Sequence, residues 1–104
     1  MPRSHELVIQ FPIATMGDFD EMVAAEERMR EALKGTADVQ NREHNAGECN
    51  VYIDTDAPEA DAQKALHCLA EHMRVEAKAA CRPVGGDGYY KLIWPPGATG
   101  FRIV

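Results

Sequence analysis

The chain has no run of apolar residues approaching the roughly 18 that a membrane-spanning helix needs. Its opening, MPRSHELVIQFPI, carries Glu6 where the apolar stretch of a secretory leader would stand. No membrane partner is therefore expected. Positive charge is short: 11 Lys and Arg against 17 Asp and Glu leave a formal net charge of −6. Phosphate backbones bind basic surfaces by counterion release, so no nucleic-acid partner is expected either. Aromatic residues are sparse, and on ECNVYIDTD Tyr52 stands nearly alone where an RNA-stacking sheet would need several rings. Cysteine is scarce and odd in number. Cys49, Cys68 and Cys81 are far apart, which fits no disulfide framework and suits a reducing cytoplasm. Ser4 is the only serine and no Gly-x-Ser-x-Gly occurs, so no catalytic nucleophile is assigned.

Metal and cofactor chemistry is equally thin. Cys68 and His72 stand one helical turn apart, but zinc takes about four ligands, or three with an open position, and nothing completes the set. Cys68 is better read as a small hydrophobe beside an apolar stripe. His67 and Glu71 share the same spacing, which is usual for a surface pair. The segment GGDG lacks the Lys-Ser/Thr of a phosphate loop and precedes a strand rather than a helix. No metal and no cofactor are expected.

What is present describes one globular domain over residues 1–104, with 45% hydrophobic and 27% charged residues. Leu7, Ile9 and Phe11 alternate with Glu6, Val8 and Gln10 in a strand from His5 to Phe11. Phe19, Met22, Val23, Met29 and Leu33 then recur at helical spacing. Asp18 and Glu21 offer a capping box for this helix, Thr15 and Asp18 a competing one, and Gly35 a stop. Ala37 to Glu43 has little core beyond Val39 and reads as an edge strand, with Asn45-Ala46-Gly47 as the turn after it. Cys49, Val51 and Ile53 alternate with Asn50, Tyr52 and Asp54 in a half-buried strand. Asp56, Pro58 and Glu59 open a second helix, whose stripe runs from Ala62 to Met73. VEAKAACRPV, the turn Gly85-Gly86-Asp87-Gly88 and the strand Tyr89 to Trp94 close the order β-α-β-β-α-β-β. That order predicts an α+β fold, a ferredoxin-like two-layer sandwich with two helices on one face of an antiparallel sheet.

Helices on one face leave the other open. Strict alternation places Glu6, Val8, Gln10, Asn50, Tyr52 and Asp54 there, with Gln40, Arg42 and His44 from the edge strand. Tyr90, Leu92 and Trp94 share one side of the last strand, and Tyr89, Lys91 and Ile93 the other. Pro95 and Pro96 blunt its end. The candidate binding residues are therefore Glu6, Gln10, Arg42, His44, Asn50, Tyr52 and Trp94.

The stretches ECNVYIDTDAPEA and YYKLIWPPG resemble small single-domain bacterial proteins of ferredoxin-like fold and unassigned function. The resemblance spans nearly the whole chain and implies the fold, but no catalytic motif. The function expected is that of a small acidic cytoplasmic binding module. It would act through the open sheet face or an edge strand on a protein partner or by self-association, as an immunity or regulatory accessory protein does. The alternative is a small-molecule-binding protein or cofactor-independent enzyme of the dimeric α+β barrel type. In that case a homodimer encloses a cavity, with His44, Tyr52 and Glu6 as acid–base or orienting groups.

Overall fold

Leu7, Ile9 and Phe11 alternate with Glu6, Val8 and Gln10 along β1 (His5–Pro12), and this strand is central in the sheet. The structure is a computed structural model that describes residues 3–45, 47–85, 89–96 and 101. After β1 come α1 (Met16–Ala32), β2 (Ala37–Asn45), β3 (Glu48–Thr55), α2 (Pro58–His67), α3 (Glu71–Arg74), β4 (Lys78–Pro83) and β5 (Lys91–Trp94). The fold is α+β. The strands lie in the order β2-β3-β1-β4-β5, and each neighbouring pair is antiparallel. Gly86, Asp87 and Gly88 of the expected last turn, and Ala46 of the earlier one, lie outside the described residues.

The core explains why one face is covered. Leu7, Ile9, Phe11, Val51, Ile53 and Ala79 form a single buried cluster with Met22, Ala25 and Met29 of α1 and with Ala62, Ala65 and Leu66 of α2. Leu69 and Met73, around the short α3, complete it. All these strand residues come from one side of the pleat, so the helices share that face.

Helix boundaries differ from the sequence expectation in three places. The cap of α1 is Thr15, not Asp18. The Thr15 hydroxyl accepts from Asp18 N at 3.1 Å, and the Asp18 carboxylate accepts in return from Thr15 N at 3.3 Å. Asp56 does not cap α2. It accepts from Ser4 N at 2.8 Å and from Arg3 at 3.1 Å, while Ala57 stands at the N-cap. The expected single second helix breaks after His67. Arginines take the carbonyls released there: Arg74 donates to Leu66 and Leu69, and Arg28 to Cys68. Cys68 and His72 therefore do not share a helix face, and His72 instead meets Asp18 at 3.3 Å.

Two irregularities in the outer strands decide which side chains reach the open face. Between β2 and β3 the register runs Val39↔Ile53 and then Asn41↔Tyr52, so Gln40 is an extra residue. A bulge of this kind reverses the side on which every later residue stands. Asn41 and Glu43 turn to the open face, while Arg42 and His44 turn to the helices. Arg42 there meets Glu26 of α1, and Arg30 donates to both Glu26 and the Val39 carbonyl beside the bulge. Burial opposes charge on Glu26, but Arg42 and Arg30 outweigh it and hold its carboxyl below the ordinary range. The second irregularity is in β5, where Ala79 pairs with Trp94 and Ala80 with Leu92, leaving Ile93 extra. Trp94 thus parts from Leu92 and packs against the helix-side core.

Candidate functional site

The central strands carry Glu6, Val8 and Gln10 opposite Asp54, Tyr52 and Asn50 on the uncovered face. Strand β4 adds Arg82, Ala80 and Lys78 in the same rows. The middle of this face is closed within the single chain: Val8, Ala80 and Asn50 are fully buried, and Gln10 nearly so. Gln10 Nε2 donates to Asn50 Oδ1 at 2.9 Å. Asn50 Nδ2 is buried with no hydrogen-bond partner among the described residues.

Beside this closed centre lies a cleft of about 560 Å³, lined by Glu6, Gln40, Asn41, Glu43, Tyr52, Asp54, Arg82 and Tyr90. A second depression of about 420 Å³ shares Glu6, Asp54 and Arg82 with it and continues toward Arg3 and Val84. Tyr52 donates its phenolic proton to Glu43 Oε1 at 2.6 Å, and Tyr90 donates to Glu6 Oε1. Arg82 completes the second pair. Its guanidinium carbon is 4.6 Å from the Tyr90 ring centre and its Nη2 is 3.2 Å from Glu6. Phe101 meets the Tyr90 ring edge-on with centroids 5.6 Å apart.

The electrostatics follow from that crowding. Burial, then the hydrogen bond to Glu43, pushes the Tyr52 phenol far above its ordinary range. Burial and Glu6 do the same to Tyr90, with Arg82 opposing. Both phenols therefore stay protonated at neutral pH and act as donors, not bases. The Asp54 carboxyl is also raised, first by burial and then by the charges of Glu6 and Asp38, although Gln40 donates to it at 3.2 Å. The cleft thus offers carboxylates and aromatic faces to a cation. Among the described residues, no group of three His, Cys, Asp or Glu gathers as metal ligands would.

Of the residues singled out in the sequence, Glu6 and Tyr52 come together in the cleft. Gln10 and Asn50 share its face but are buried next to it. Arg42, His44 and Trp94 do not join them. Arg42 binds Glu26, Trp94 packs into the core side, and His44 lines a separate depression with Ile13, Thr15, Met16 and Phe19 at the start of α1. Sequence reasoning missed Glu43, Arg82 and Tyr90 as site residues. The outward side of Tyr90 was readable from the strand after GGDG. Glu43 was hidden by the bulge.

No known family model, curated protein or solved structure matches the chain. No helix among the described residues is long and apolar enough to cross a membrane.

Proposed function

We propose that the chain is a binding module that takes a protein partner's side chains through the open face of its sheet. The observation that carries this reading is the cleft itself, where Glu6, Glu43, Asp54, Tyr52 and Tyr90 converge. Its phenols are locked as donors to the carboxylates beside them. The partner expected is cationic, which the net charge of −6 also favours by long-range attraction. An immunity or regulatory accessory role is one that such a module fills. Self-association by stacking two sheets is less well supported, because Val8 and Ala80 are already buried and leave no apolar centre for a second copy.

The same reading includes a ferredoxin-like two-layer sandwich, with β5 added beyond β4. Its support is the neighbour order β2-β3-β1-β4 around a central β1. A cytoplasmic setting is proposed from the three free cysteines.

Amide NMR titration with short cationic, neutral and anionic peptides tests the function. Cationic peptides are expected to shift Asn41, Glu43, Tyr52 and Asp54. Shifts confined to another surface, or none from any peptide, would overturn it.

A further inference from the structure

The cleft already grips one guanidinium, its own. Arg82 lies over the Tyr90 ring at 4.6 Å and meets Glu6 at 3.2 Å, so an aromatic face and a carboxylate hold it together. That arrangement suits a planar, weakly hydrated, forked cation better than a compact ammonium. Across the cleft, Tyr52 and Glu43 repeat the tyrosine–carboxylate pair, with the phenol 2.6 Å from Oε1, and Asp54 also lines that cleft. Among the described residues, no arginine or lysine pairs with Glu43 or Asp54.

Asn50, buried beside this cleft, has one end of its amide unmatched among the described residues. Its Oδ1 accepts from Gln10 on β1, and its other flank is β2. Glu43 is its register partner there, yet Nδ2 has no hydrogen-bond acceptor among the described residues. A fully buried donor of this kind calls for an acceptor.

We propose that the Tyr52–Glu43–Asp54 side of the cleft binds the arginine side chain of a partner protein. The proposal rests on the binding reading above and names its ligand. The guanidinium lies against the Tyr52 ring and bridges Glu43 and Asp54, matching what Arg82 does with Tyr90 and Glu6. A protein chain is favoured over a free small molecule because the cleft opens along β2. That strand is at the edge of the sheet, and from Gln40 to Asn45 its residues are exposed. A strand laid against this edge carries alternate side chains over the open face.

The test is calorimetric titration of the full chain at low salt, with amide NMR to place the binding. The probe is a short blocked peptide of threonine and valine with one central arginine, beside versions carrying lysine or citrulline. The arginine peptide is expected to bind at the cleft, the lysine version about tenfold more weakly, and the neutral citrulline version not measurably. Glu43→Gln and Tyr52→Phe should each weaken the arginine peptide about tenfold. Glu27→Gln, on the exposed side of α1, should leave it unchanged. Urea midpoints confirm that the variants remain folded. Equal binding of lysine and arginine would overturn the proposal, leaving only charge attraction. Blocked single arginine binding as tightly as the peptide would overturn the partner chain as its source. If another peptide class shifts the cleft residues and arginine does not, this proposal falls and the binding reading stands. If no peptide perturbs the cleft, both fall.

Discussion

On the helix-covered face of the sheet, Leu7, Ile9 and Phe11 meet Met22, Met29 and Leu66, and the interior is finished by apolar packing. On the opposite face the same strands bury Val8 and Ala80 as the apolar centre. They surround these with Gln10 and Asn50, and then with Tyr52, Glu43, Glu6 and Arg82. The first face gains its stability from area removed from water. The second joins polar groups mostly to one another, and such pairs contribute little net stability while keeping side chains in fixed positions. One set of strands therefore packs an apolar core on one face and a polar cleft on the other.

The largest expected effect is on the packed face. Phe11 is 1% exposed, so Phe11→Ala should cost about 4 kcal/mol, from lost transfer energy and the cavity left behind. Urea unfolding measures it. Val8→Ala, equally buried but on the open side, removes fewer carbons and should cost roughly half as much. A larger loss at Val8 than at Phe11 would break the comparison, because the open face would then be the main source of stability.

A smaller effect is expected where the two faces are linked. Glu26 holds Arg30 and Arg42 behind β2, and those contacts accompany the bulge that turns Glu43 outward. Glu26→Gln should cost about 2 kcal/mol at neutral pH, since it weakens two charge-assisted contacts to a nearly buried side chain. The carboxyl is held below its ordinary value in the folded chain. Its contribution is therefore fully present above the unfolded glutamate range, about pH 4.3, and is lost as pH falls through the folded value. The gap between the two proteins in urea midpoint should thus narrow below about pH 4. A constant gap down to strongly acid pH would show that the charge on Glu26 does not contribute. The variant should also loosen the Tyr52–Glu43 contact on the far face, visible in the Tyr52 ring signals.

These links also show what could be read from the sequence. The alternation of β1 and β3 is anchored by Leu7, Ile9, Phe11, Val51 and Ile53, and their burial follows from the pattern. Glu6 and Tyr52, on the other side of those strands, were legible for the same reason. Strand β2 has no apolar anchor after Val39, so nothing in its pattern fixes which side its later residues take. Arg42 and His44 were expected outward and Glu43 was overlooked. The contacts that fix the register come from Glu26 and Arg30, far away in sequence. Trp94 was misplaced by the same kind of slip, one extra residue at Ile93. The helix break after His67 was hidden because Leu69 and Met73 are buried as a continuing stripe would have them. Its visible signature was Arg74, which donates back to the freed carbonyls of Leu66 and Leu69.

The smallest expected net effect sharpens the comparison most, because it asks whether the open face is built for stability at all. Gln10 and Asn50 face each other across β1 and β3, buried and joined at 2.9 Å. Asn50→Leu alone takes away one acceptor of the Gln10 amide, and Gln10→Leu alone leaves Asn50 Oδ1 without the donor that meets it at 2.9 Å. Each single change should cost about 1–3 kcal/mol, the penalty for a buried group left unmade. The double change Gln10→Leu with Asn50→Leu removes both polar groups together and puts apolar volume beside Val8. It should return stability to within about 1 kcal/mol of the native chain, with a coupling of about 1–2 kcal/mol in the double-mutant cycle. Additive losses would mean that each amide is held by other groups and that the pair is not a unit. Recovery of stability together with weaker binding of a cationic peptide would mean that the pair is kept for recognition.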